Sequence, residues 1–174
     1  MKKFAKFVLI LAVALLLLSG SCMVITNENE YSLIRQFGKV DHIVDDAGIS
    51  FKLPFIQTVD KLPKQTLIYD LTPSDVITAD KKTMISNSYV LWRISDPLKF
   101  AQSLNSSVSN AENRLDNIVY NATKNVISSM TQDEVITSRD GALSEAVLAG
   151  IDTSLDNYGI ELLSFVIELF LTWR

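Results

Sequence analysis

The sequence predicts an α+β fold behind an N-terminal transmembrane helix: a β-rich half, then helices and a closing strand. Three observations predict it. Phe7 to Ile25 is an apolar stretch of 19 residues without a charge. From Tyr31 to Ser95 the apolar residues recur with the period of two that a pleated strand imposes. Beyond Pro97 they recur with the helical period, until "IELLSFVIELF" returns to strand-like composition.

The leader comes first. At about 1.5 Å per residue, a helix over that stretch reaches about 28 Å, close to the roughly 30 Å hydrocarbon core of a bilayer. Phe7, Leu11, Leu15, Leu18 and Ile25 are the candidate anchor residues. The Phe, Val, Leu and Ile residues from Phe7 to Leu18 contribute roughly −3 to −6 kcal/mol towards insertion, an upper estimate because the scale applies at the helix centre. Lys2, Lys3 and Lys6 place the N-terminus on the cytoplasmic side and export the body. A second reading stays open on the residues alone. Ser19-Gly20-Ser21 offers small residues to a signal peptidase. A lipoprotein signal would put an aliphatic residue three places before Cys22, where Ser19 stands.

In the body, "YSLIRQFGKV" alternates around Leu33, Arg35 and Phe37 and ends in a Gly-containing turn. "AGISFKLPFIQTVDKL" follows, with Gly48 opening a short strand and Pro54 interrupting it. Phe51, Leu53, Phe55 and Ile56 crowd into six residues, and strict alternation gives a core position to only one of Phe55 and Ile56. These four are candidates for contact with a membrane surface. The alternative is that Phe51, Leu53 and Phe55 are core and Ile56 begins a turn. "QTLIYDL", "SDVITAD" and "KTMISNSYVLWRIS" supply further strands. In the last, Met84, Val90, Trp92 and Ile94 share one face and Ile85, Tyr89 and Leu91 the other, before Asp96-Pro97 ends it.

"PLKFAQSL" predicts a short helix. Ala111, Leu115, Ile118, Val119, Ala122 and Val126 predict an amphipathic one, with Ser109 and Glu112 at capping-box spacing. Thr131 and Glu134 repeat that spacing. A last helix from about Arg139 to Asn157 carries Leu143, Val147, Ile151 and Leu155 on one side, and Gly159 suits its C-terminal cap.

Composition excludes several functions. The formal net charge is −4, and the three leader lysines carry +3, so the remainder carries −7. An acidic body does not suit nucleic acid, whose phosphates need basic patches. Cys22 is the only cysteine and His42 the only histidine, so one chain can form neither a disulfide nor a His/Cys metal cluster. His42 sits in "KVDHIVDDAG", which reads as a solvated loop, and Asp45-Asp46 as a solvated turn. There is no phosphate-cradling Gly-rich loop and no nucleophile elbow. The residues predict no enzyme, no cofactor and no metal. Two other functions stay in view: a secreted or lipid-anchored binding module if the leader is cut, and a hydrolase using His42 with a nearby serine.

The order of elements resembles a known family. "YSLIRQFGKV", "AGISFKLPFIQTVDKL" and "KKTMISNSYVLWRISDPLKF" resemble the stomatin/prohibitin/flotillin/HflK-HflC (SPFH, band 7) superfamily. "YVLWRISDP", "TSRD" at Thr137 to Asp140 and "YGIEL" at Tyr158 to Leu162 are most similar to its HflC branch. The resemblance implies a single-pass protein of the bacterial inner membrane that keeps its leader as an anchor. Its N-terminus would be cytoplasmic and its body extracytoplasmic. It would join an HflK-like partner in a homo- or hetero-oligomer around an FtsH-like membrane protease, as a non-enzymatic scaffold. The implied domains are an anchor over 1–26, an SPFH domain over 27–164 and an atypical apolar end over 165–174. Family members continue past "YGIEL" into a long Glu/Ala/Arg-rich helix that builds the cage wall, whereas this sequence ends at "SFVIELFLTWR". A truncated gene, a frameshift and a fragment all fit that ending, and the body from Asn27 to Arg174 is expected to oligomerise poorly.

Overall fold

The computed structural model describes residues 22–138 and 141–171. The chain divides into two compact units, one ending at Lys64 and one beginning at Gln65.

The first unit is built of strands: β1 (Met23–Thr26), β2 (Glu30–Gln36), β3 (Lys39–Val44), β4 (Gly48–Phe51) and β5 (Gln57–Pro63). All pairings are antiparallel. β2 lies between β3 and β5, while β1 and β4 form a separate two-stranded ribbon. The consecutive residues Ser32, Leu33 and Ile34 of β2 are fully buried and, with Leu62 and Val24, make the unit's small core. Arg35 pairs with Asp60 at 2.6 Å across β2 and β5.

Two sequence expectations change here. Ile25 stands in β1 opposite Ile49, so the helical stretch predicted from Phe7 does not extend to it. The β-branched run Val24-Ile25-Thr26 favours a strand once β4 is there to pair with. His42 lies in β3 opposite Ile34 rather than in a loop. β3 sits at the edge of its sheet, where polar residues are tolerated on both faces. Phe7, Leu11, Leu15 and Leu18 lie outside the described residues. Among the described residues no helix is long and apolar enough to cross a membrane.

In the second unit, β6 (Leu67–Asp70) and β7 (Ser74–Ile77) lie end to end along one edge of β8 (Thr83–Ile94), and β9 (Ile160–Leu171) pairs along the other. Between β8 and β9 the chain forms α1 (Pro97–Leu104), α2 (Val108–Ser128), α3 (Gln132–Thr137), α4 (Ala142–Leu155) and a 3₁₀ turn (Asp156–Tyr158). Phe165 to Leu171, which the sequence sets apart as an apolar end, continues β9, with Phe165 and Leu169 buried.

The predicted faces of β8 hold. Met84, Val90, Trp92 and Ile94 are buried together with Ser86 and Ser88. Trp92 stacks on Phe100 of α1 with ring centroids 6.4 Å apart. Met84, Val76, Ile127, Val135, Leu143 and Leu169 form a buried cluster. Leu143, Val147, Ile151 and Leu155 of α4 are all buried, as their spacing requires. On α2 the buried stripe is Ala111, Leu115, Val119, Thr123 and Ile127, with Val126 half-buried against the Met84 cluster, so its later turns face inward chiefly through Thr123 and Ile127.

The helix ends are chemically specified. Asp96 accepts from Leu98 N and Lys99 N, each at 3.0 Å, with Pro97 opening α1. Ser107, not Ser109, caps α2 by accepting from Asn110 N, because the chain is still extended at Ser107. Thr131 and Glu134 form the predicted capping box at α3. Gly159 has φ +67°, and a Cβ there would lie 2.2 Å from Asp96 O. Only glycine fits that left-handed, backbone-to-backbone approach.

Candidate functional site

The candidate membrane-contact residues all lie in the first unit, and none of them is core. Phe51, Leu53, Phe55 and Ile56 are exposed, Phe55 at 94%. The core alternative for Phe51, Leu53 and Phe55 is therefore set aside.

The ribbon explains part of this exposure. Directly opposed residues of an antiparallel pair point to the same face. Met23 opposes Phe51 and Ile25 opposes Ile49, and all four are exposed. The alternate residues Val24 and Thr26 point the other way and are buried. On one face of the ribbon the β1 residues are covered by the unit itself, with Ser50 of β4 half-buried beside them, and an entirely apolar face is left in water.

The loop after β4 extends that face. Gln57 brackets it: its side chain accepts from Leu53 N at 2.7 Å, and its backbone N–H donates to Leu53 O at 3.0 Å. Lys52 N donates to Cys22 O at 2.7 Å, joining the loop to the start of β1. Between these ties the chain turns through Pro54 and Phe55, with Phe55 at φ +70°. The hairpin joining β2 and β3 adds Phe37, 83% exposed. Phe37 and Gly38 both have positive φ, 49° and 82°, as a two-residue type I′ hairpin turn requires. Gln36 pairs with both Lys39 and Gln57, so the hairpin tip lies beside the end of the Phe51–Ile56 loop.

Phe37 and Phe55 therefore each combine two unfavourable states, a left-handed backbone and a phenyl ring in water. A left-handed non-glycine residue costs about 1–3 kcal/mol and points to function where the surrounding structure imposes it. Exposed apolar area forfeits roughly 25 cal/mol per Å² until something covers it. Lys39 and Lys52 flank these residues in sequence and suit an anionic rim.

A polar clamp holds the ribbon. Lys61 Nζ donates to Ile25 O at 3.1 Å and to Glu30 Oε1 at 2.6 Å. Glu30 also accepts from Asn27 N at 3.0 Å and Asn27 Nδ2 at 2.8 Å. The Lys61 hydrogen bond, then the Asn27 backbone bond, holds the Glu30 carboxyl below the ordinary carboxylate range. Thr26 Oγ1 donates to Ser32 Oγ at 2.8 Å inside the unit. Lys64 pairs with Asp45 across the predicted Asp45-Asp46 turn, and that hydrogen bond raises the lysine's pKa.

The sequence reading missed Met23, Ile49 and Phe37 as members of the exposed surface. The first two were visible as a second alternating pair beside Ile25 and Phe51. Phe37 was visible only as the neighbour of Gly38, the glycine of the predicted turn. His42 is exposed, with Nδ1 3.2 Å from Asp41 Oδ2. Among the described residues no group of three or more His, Cys, Asp or Glu side chains could hold a metal ion.

The sequence matches known proteins over most of its length. The SPFH domain / Band 7 family matches residues 24–169. "Protein HflC" of Buchnera aphidicola subsp. Acyrthosiphon pisum is 28% identical over 154 residues, covering 84% of this chain and 50% of that protein. "Protein HflC" of Haemophilus influenzae is 26% identical over 153 residues, covering 82% and 52%. The Escherichia coli K12 protein named "Modulator of FtsH protease HflC" is 27% identical over 151 residues, covering 83% and 44%. The chain spans about half the length of these curated relatives. With strands, helices and closing strand in the order the family resemblance requires, the chain belongs to the SPFH domain / Band 7 family as an HflC-like member.

Proposed function

We propose that this chain is a non-enzymatic membrane scaffold that modulates an FtsH-like protease through oligomeric assembly with an HflK-like partner. The residues before β1 supply the cytoplasmic lysines and the anchor, through Phe7, Leu11, Leu15 and Leu18. The body works on the extracytoplasmic side of the bacterial inner membrane. Phe51, Leu53, Phe55 and Ile56, with Met23, Ile25, Ile49 and Phe37, rest against the lipid surface beside the anchor.

The observation that carries this reading is the ribbon face. Four opposed apolar residues and two left-handed phenylalanines remain in water, while on the opposite ribbon face Val24 and Thr26 are buried. A bilayer interface covers such a surface without a shape-matched protein groove. The chain reaches Met23 directly from the predicted anchor, so the ribbon starts where the bilayer ends. The relatives' names support the protease assignment.

The test reconstitutes the full chain with an FtsH-like protease, an HflK-like protein and a membrane-inserted substrate in liposomes. The expected result is a several-fold change in substrate degradation that requires the chain, together with its recovery on the protease by affinity capture. An unchanged rate without association overturns the proposal.

A further inference from the structure

In the second unit, β8 and α2 do not fill the space between them. Along the buried face of β8 the residues are large except at the middle, where Ser86 and Ser88 are 4% and 9% exposed. The edge beside them is also irregular. Asp70 pairs with Tyr89 and Ser74 with Ser86, so Leu71, Thr72 and Pro73 stand against only Asn87 and Ser88. Leu71 N donates to Ser88 O at 2.9 Å, and the extra residue bulges away with Pro73. α2 closes the other side.

The result is a cavity of about 240 Å³ lined by Ser74, Ser86, Ser88, Asp116, Tyr120 and Thr123, together with the irregular segment 71–73. At about 30 Å³ per water, that space suits a small organic molecule. Two features say what kind. Thr123 is 3% exposed, and its hydroxyl has no hydrogen-bond partner among the described residues. A buried hydroxyl left unpaired costs stability unless a bound group completes it.

The second feature is charge. Asp116 Oδ1 accepts from Thr72 N at 3.2 Å. Its Oδ2 makes no hydrogen bond among the described residues. Glu112 stands one helical turn earlier. Burial raises the Tyr69 pKa, and Asp116 and Glu112 raise it further, as expected of a negative potential on this side of α2. Lys124 sits over the ring of Tyr120 at 5.8 Å but does not line the cavity, and none of the lining residues is basic.

We infer that this cavity binds a small organic cation, an alkylammonium or guanidinium group. Asp116 supplies the counter-charge, and the hydroxyls of Ser86, Ser88 and Thr123 accept its N–H donors. The group arrives either on a free small amine or as a Lys or Arg side chain of another protein, and the chemistry of the cavity is the same for both.

The experiment titrates the full chain in detergent micelles with methylguanidinium and n-butylammonium, and with glycerol and acetate as neutral and anionic controls, by calorimetry. Saturable binding of the cations and not of the controls is expected. Asp116→Asn should weaken it at least ten-fold. Thr123→Val keeps the side-chain shape and removes the unpaired hydroxyl, so it should weaken binding several-fold while leaving Tm equal or higher. That split separates a ligand contact from a packing role, and it carries the test if Asp116→Asn fails to fold. N-acetyl-Gly-Arg-Gly-amide distinguishes the sources: binding tighter than methylguanidinium assigns a protein side chain, and weaker or equal binding a free amine. Glycerol binding as tight as the cations, no saturable cation binding, or affinity unchanged in both variants overturns the inference.

Discussion

β8 in the second unit and the β1–β4 ribbon in the first are both built on alternation, yet they end in opposite states. β8 turns Met84, Val90, Trp92 and Ile94 towards the core, where they are buried. The ribbon turns Met23, Ile25, Ile49 and Phe51 outward, and only Val24 and Thr26 go in. Alternation fixes that a strand has two faces. What covers each face is decided by the layers the rest of the chain supplies, and for the ribbon those layers cover one face only.

Four results would sharpen or break this contrast. The largest effect belongs to the packed side. Leu115→Ala removes a fully buried side chain of α2 and should cost about 2–5 kcal/mol by chemical denaturation. A loss as small as a surface change would deny the second unit its close packing.

Gly159→Ala comes next. It should cost at least the about 1–2 kcal/mol of a left-handed alanine, and more from the contact with Asp96 O. Phe55, in the other unit, adopts a left-handed φ of 70° as a non-glycine residue with no core contact. An alanine tolerated at 159 would remove that distinction.

The pH dependence follows from Asp80. The Thr78 hydroxyl, with further help from Lys82 and the Gln132 N–H, lowers its carboxyl pKa to about 2. A carboxyl depressed in the folded state contributes stability above its unfolded pKa of about 4 and loses it as pH falls towards the folded value. The second unit should therefore weaken between about pH 4 and pH 2. Asp80→Asn should flatten that part of the Tm–pH curve, and an unaltered slope would mean the Thr78–Lys82 turn is not held by this charge.

The smallest stability effect is predicted on the exposed side. Phe55→Ser with Ile56→Ser should change stability by no more than about 0.5 kcal/mol, as for surface positions generally. In lipid nanodiscs, however, amide exchange of residues 51–57 should slow for the parent chain and not for this variant. A sharp fall in Tm would make the two residues core and remove the membrane contact.

Much of the fold was legible because its signals are local. Thr131 and Glu134 lie three residues apart and make their box within one turn. Leu143, Val147, Ile151 and Leu155 share a face by spacing alone. Gly159 was visible as a cap because left-handed backbone favours glycine, although its contact with Asp96 was not. What escaped needed a partner distant in sequence. Met23 to Ile25 extends an apolar run, and its strand state depends on β4 some two dozen residues later. His42 reads as loop until β2 pairs with it. The α2 stripe ends on Thr123 and Ile127 because of the rotation of the helix on its sheet, which a count of apolar residues does not give. The exposed surface was legible only in part: the crowding of Phe51, Leu53, Phe55 and Ile56 marked it, while Phe37 joins through the β2–β3 turn.

The central claim is that the uncovered face of the first unit meets lipid. Its most direct test is a nitroxide placed by Phe55→Cys in a Cys22→Ser background of the full chain, reconstituted into nanodiscs, with Asn121→Cys on the solvent side of α2 as the reference. Relaxation by oxygen and by a water-soluble nickel chelate reads the surroundings of each label. The account predicts oxygen-dominated relaxation at position 55, as in the acyl region, and chelate-dominated relaxation at 121. Equal access of the chelate to both labels would contradict it.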